Sequence, residues 1–322
     1  MPSFSPTDAA FEGFRFTRER PKAVAAWAGA TLAINLMSGL LGALIGGSAM
    51  VDFQALAAQE ALDLPAVIRL LPRLLPALLV TVIINLLGSA IVYASAVRTF
   101  ISLDHKVSFR AGQDERRILL LLLGYGLIYF VVSGVTGVVF GVLVNILNGI
   151  YPQINDAVVS AIPYPSVRAF LTAMVLAIPP LAVIVRLSLA PVIAVDRKRI
   201  SLKESWVSTR GHFWPLAGSL ALSIFLYFLA VFVGLLVVMS LALALSIPTH
   251  GAIGPHTLTG ADRSTLTDLI KPAAIFAELI TAVMVAMLLP VLFGPLVRAY
   301  QAYDAPDASP APPAPASPAI HA

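Results

Sequence analysis

The chain has 322 residues, of which 58% are hydrophobic and 12% charged, with a mean hydropathy of +0.89. A soluble domain carries about 25% charged residues and could not hide so much apolar surface, so the composition excludes an ordinary soluble fold and requires lipid. The net charge of +4 comes from basic residues beside apolar stretches, where membrane orientation and anionic headgroups account for them and no nucleic-acid partner is expected. With no cysteine, disulfides, Cys-ligated metals and thiol catalysis are excluded as well.

Residues 1–22 carry Glu12, Arg15, Arg18, Glu19, Arg20 and Lys22, and lack the short apolar core and small-residue cleavage site of a secretory leader. They read as a retained, cytoplasmic interfacial segment. Six apolar stretches follow, at Ala23–Gly47, Leu74–Val97, Ile118–Leu147, Val167–Val195, Leu216–Ile247 and Ala273–Val297. Each can cross a hydrocarbon core about 30 Å thick as a helix, the form that satisfies its own backbone in lipid. The predicted fold is an all-α polytopic membrane protein with a six-helix domain over 23–303. After it, residues 304–322 form a Pro/Ala-rich run expected to be a disordered cytoplasmic tail.

Orientation follows from Lys and Arg. The N-terminal segment, the Arg98–Arg117 connection, the Arg186–Arg210 connection and Arg298 hold 16 of the 21 basic residues, leaving Arg69, Arg73, Arg168, Arg263 and Lys271 for the alternate side. That bias predicts both termini inside. Of the outer connections, Ser48–Pro72 reads as a short amphipathic helix through Phe53, Leu56 and Leu62, Asn148–Ser166 as irregular, and Pro248–Asp268 as a Gly/Thr/Ser-rich loop.

A repeat shows when the N-terminal segment is laid over the third inner connection. Glu12, Phe14, Thr17 and Arg18 match Glu204, Trp206, Thr209 and Arg210 as E-x-[FW]-x-x-T-R before a span, each after a capping start, Ser5 to Asp8 and Ser201 to Glu204. The even spans end alike, on Val97-Arg98, Val185-Arg186 and Val297-Arg298. Three copies of a helical hairpin with an interfacial lead-in are one reading of this; chance similarity is the other.

Catalytic motifs for phosphate, dinucleotide, zinc or serine chemistry are absent, and five scattered His give a metal site little material, so no enzyme activity, cofactor or metal is expected. Glu278 is the acidic residue inside a span; it is either a transport candidate or a shallow structural group near Lys271. Arg186 lies inside the last apolar turns of the fourth span, where it either binds an anionic headgroup or ties helix ends together. Asn35, Asn85, Asn145 and Asn148 read as hydrogen-bonding glue between spans, and Ser38, Gly42 and Gly46, with Gly137 and Gly141, as faces for close helix approach. Pro76, Pro179, Pro180, Pro215, Pro290 and Pro295 predict kinks.

Arg186, Pro191, Asp196 and the run SLKESWVSTRGHFW from Ser201 to Trp214 resemble a bacterial six-span family, that of the glycerophosphoryl diester phosphodiesterase membrane domain and its YciC-like relatives. The resemblance implies an inner-membrane bundle and supplies no catalytic residue, because the family's phosphodiesterase chemistry belongs to a separate soluble domain. The expected function is a non-enzymatic membrane-embedded binding or scaffold module. It would contact anionic lipid through Arg18, Arg186, Trp206 and Arg210, with other membrane or soluble proteins as further partners. The alternative is a transporter for a small or lipid-like solute.

Overall fold

The structure, a computed structural model, describes residues 4–57, 64–102, 106–151, 153, 160–161, 164–244 and 272–303. Within them the ordered elements are helices: α1 (Pro6–Glu19), α2 (Pro21–Ala57), α3 (Leu64–Ile101), α4 (Gln113–Ile150), α5 (Pro165–Leu187), α6 (Ala190–Asp196), α7 (Leu202–Ser208), α8 (Phe213–Ala244) and α9 (Pro272–Tyr303). Six segments are long and apolar enough to cross a membrane, and they coincide closely with the predicted spans. The His250 and His256 loop, most of the Asn148–Ser166 connection, Lys271 and the Pro/Ala-rich tail lie outside the described residues.

The lead-in segments begin as their sequences predict. Ser5 Oγ accepts from the Asp8 N–H and Ser201 Oγ from the Glu204 N–H, so each hydroxyl satisfies a donor that the first helical turn leaves free. Before α4, Glu115 Oε2 accepts from the Gly112 N–H at 2.9 Å, the reciprocal half of the same device.

Charge gathers at one end of the bundle, here called the basic end. Asp114 takes Arg117 at 2.7 Å, Lys198 at 3.2 Å and Arg98 at 3.7 Å, while the Tyr300 hydroxyl donates to Asp196 at 2.5 Å. The main hydrophobic core lies at this end too, built from Trp27, Val97, Ile118, Leu121, Leu216, Leu289 and the buried α6. Away from it α4 is left uncovered. In α4 the most apolar 18-residue window has no buried residue, and Gly137 and Gly141 have nothing within 4 Å of where a Cβ would stand. The expected small-residue packing of α4 is therefore not made by the described helices.

Three further expectations need correcting. The predicted surface helix between the first two spans is instead the far ends of α2 and α3, 37 and 38 residues long. Ala49, Phe53 and Leu56 keep helical spacing, so α2 continues and packs them beside Leu70 and Leu74 rather than turning onto the surface. The fourth span is not one helix but α5 and α6, broken at Ser188–Leu189. Finally, α1 does not merely rest at the interface: Ala9, Ala10, Gly13 and Phe16 are buried, and the helix packs against α8 and α9.

The α1–α9 crossing is a backbone contact. A Cβ on Gly13 would stand 2.3 Å from Pro290 O, and one on Gly294 2.8 Å from Gly13 N, so both positions require the smallest residue. Gly13→Ala should lower stability by about 1–3 kcal/mol through forced separation of α1 from α9. Gly137→Ala, entering open space, should change it by less than about 0.5 kcal/mol. Thermal unfolding in detergent compares the two; equal effects would contradict the crossing.

Candidate functional site

The site is organised by the break in the fourth span. Pro191 has no N–H, so Leu187 O loses the donor that helix continuation would supply. Tyr125 Oη on α4 replaces it, donating to Leu187 O at 2.6 Å. One residue back, Arg186 O accepts from Ser205 Oγ at 3.1 Å, with Thr209 Oγ1 3.2 Å away. Three side chains thus satisfy two carbonyls freed inside an apolar segment, where an orphan is costly. Released from α5, the chain forms α6, whose Ala190, Val192, Ile193, Ala194 and Val195 are all buried against α3, α4 and α9.

Arg186 closes the arrangement from the other direction. Its Nη1 donates to Thr209 O at 3.0 Å, and its guanidinium lies 5.6 Å from the Trp206 ring centre and 5.0 Å from that of Phe213. Both distances suit cation–π contact. Arg186 and Trp206 are therefore brought together, and Arg210 follows directly on Thr209. Trp206 is 46% exposed and Trp214 81%, while Lys203 and Arg210 are also exposed. Arg18 is exposed as well, on α1 rather than on α7.

The other two Val-Arg pairs behave differently. Arg98 reaches Glu115 at 2.5 Å and Ser108 O at 2.9 Å, and Arg298 reaches Glu12 at 3.0 Å. Each arginine thus docks on the segment that leads into another hairpin: Arg98 on α4, Arg186 on α7, Arg298 on α1. Two of the three meet a carboxylate. Arg186 meets a carbonyl and two aromatic rings, and no described carboxylate pairs with it. The nearby Glu204 is engaged by Arg197 and Arg199.

Glu278 lies elsewhere, toward the far end of α9, and is 4% exposed. Asn35 Nδ2 on α2 donates to its Oε2 at 3.1 Å. Asn85 Nδ2 donates to Ser38 Oγ at 2.7 Å, so Asn35 and Asn85 both join neighbouring spans as expected. Asn145 does not, since its amide turns back to Gly141 O on its own helix. The Asn148 side chain lies outside the described residues.

Sequence reasoning missed Tyr125, Ser205 and the α6 plug. The available signal was Pro191 four residues after Leu187, which implies a freed carbonyl but cannot say which hydroxyl reaches it. Among known proteins, no family model, curated protein or solved structure matches this chain.

Burial separates the arginine pairs energetically. The Arg98 and Glu115 side chains are 17% and 8% exposed, against 51% and 21% for Arg298 and Glu12. Arg98→Ala should cost about 3–5 kcal/mol by stranding a buried carboxylate. Arg298→Ala should cost at most about 1 kcal/mol. Unfolding measurements on the two variants that gave similar losses would contradict this ranking.

Proposed function

We propose that this chain is a non-enzymatic, multi-pass protein of a bacterial inner membrane that binds anionic lipid headgroups at its basic end. One observation carries the proposal: Arg186 is a half-buried cation, set against Trp206 and Phe213, that no described carboxylate neutralises. The other half-buried arginines at this end, Arg98, Arg117 and Arg197, are each taken by a carboxylate. A guanidinium held open against aromatic rings at the edge of apolar helices suits a phosphate diester, because it offers several N–H donors in one plane. Residues 186–210 also contain six basic and two acidic residues, which adds attraction for an anionic surface. The six-span family that residues 186–214 resemble is consistent with such a module.

Transport finds less support. The described grooves lie beside the Glu12–Arg298 pair, not at midplane, and Asn35 engages Glu278 within packed helices.

Binding of fluorescent phosphatidylglycerol to the purified full-length protein tests the proposal. Each basic residue near an anionic surface contributes about 1 kcal/mol, so Arg186→Gln and Arg210→Glu should each weaken binding about fivefold or more. Arg298→Gln, whose cation is already paired, should not. Unchanged affinity in both Arg186→Gln and Arg210→Glu would remove the lipid reading.

The basic excess further supports a cytoplasmic position for this end. A cysteine-free background makes the assignment direct. In intact cells, a membrane-impermeant maleimide should label Tyr164→Cys at the far end and spare Lys203→Cys; the reverse labelling would invert the topology.

A further inference from the structure

Helices α5 and α8 meet at the basic end, where Arg186 stacks on Phe213, the first residue of α8. Beyond that point neither covers the other. On α5 the stripe at helical spacing from Arg186 runs through Pro179, Val175 and Leu171, and all three are exposed. On α8, Phe225, Phe228 and Phe232 share one face and are 64%, 62% and 59% exposed. The pair Pro179-Pro180 lies inside α5, where each ring removes a helical hydrogen bond. Two bare apolar faces thus extend beyond the Arg186–Phe213 contact.

We infer that these two faces form an apolar cleft holding an acyl chain of one anionic phospholipid whose phosphate sits on Arg186. The inference rests on the headgroup site proposed above and deepens it. Two features select a lipid over a soluble anion. The cation stands at the base of the cleft, with Trp206 and Trp214 exposed beside it, so charge and apolar surface are continuous. The dimensions agree too: Val175 is eleven residues from Arg186, about 16 Å along a helix, and one leaflet of the hydrocarbon core is about 15 Å deep. By contrast, the equally bare face of α4 begins at Arg116, an exposed cation set against no described aromatic ring.

The test uses the full chain in phosphatidylcholine nanodiscs containing a minor fraction of phosphatidylglycerol with a photoreactive diazirine on its acyl chain. After irradiation, mass spectrometry should find adducts concentrated on residues 171–179 and 225–232 relative to the exposed α4 face around Phe130 and Val138. Arg186→Gln should lower the cleft adducts about fivefold and leave those on α4 unchanged. Excess free glycerol phosphate should not displace them. Even labelling of all exposed helices would overturn the cleft, as would displacement by glycerol phosphate or equal cleft labelling by a photoreactive phosphatidylcholine. If headgroup binding to the purified protein is still lost in Arg186→Gln while labelling is even, the basic-end site stands and the cleft falls. If Arg186→Gln changes neither measurement, both fall. Arg210→Glu, which removes no contact within the bundle, repeats the comparison should Arg186→Gln fail to fold.

Discussion

A backbone carbonyl stripped of its donor inside an apolar segment costs several kcal/mol, and the break after Leu187 strips two. Their rescue organises the basic end. Tyr125 reaches from α4 to Leu187 O, and Ser205 from α7 to Arg186 O, so the break fixes how the second hairpin meets its neighbours. The freed segment becomes α6 and fills the centre of the bundle. Arg186 is then held in place from three sides, by its own carbonyl, by Thr209 O and by the rings of Trp206 and Phe213.

This concentration of contacts explains why burial is so uneven along the bundle. The hydroxyls that rescue the freed carbonyls, the ion pairs that tolerate partial solvent and the main apolar core lie toward one end. In lipid there is no hydrophobic gain from joining apolar faces, so helices without small-residue contacts or hydrogen bonds have little reason to close. The first hairpin has both devices: Gly42 and Gly46 admit Thr81 and Ala77, and Asn85 bonds Ser38. Among the described residues the α4–α5 hairpin shows neither device beyond its basic end, and the apolar face of α4 stays bare.

The three Val-Arg endings were legible in the sequence, and so were the two serine caps, because both are local patterns. What distinguishes the three arginines was not. Arg98 meets Glu115 and Arg298 meets Glu12, the latter across almost the whole chain, and no spacing rule foretells such a pairing. The predicted outer surface helix failed for a related reason. Phe53 and Leu56 are as consistent with a helix lying flat as with continuation of α2, and their contact with Leu70 and Leu74 decided it. Likewise, Gly46 and Gly137 look equivalent as small residues in apolar runs. One meets Ala77 and the other meets nothing.

By itself the sequence determined the helical class, the six spans and the side on which charge collects. Those follow from the hydrocarbon core's thickness and from the need of each backbone group for a partner, which a helix meets locally. Tertiary structure alone decided where the fourth span breaks productively, how α1 docks through Gly13 and Gly294, and which of the three Val-Arg arginines meets no described carboxylate. Those outcomes depend on which distant hydroxyls, carboxylates and backbone faces come within about 3 Å, a matter of packing between helices rather than of order along the chain.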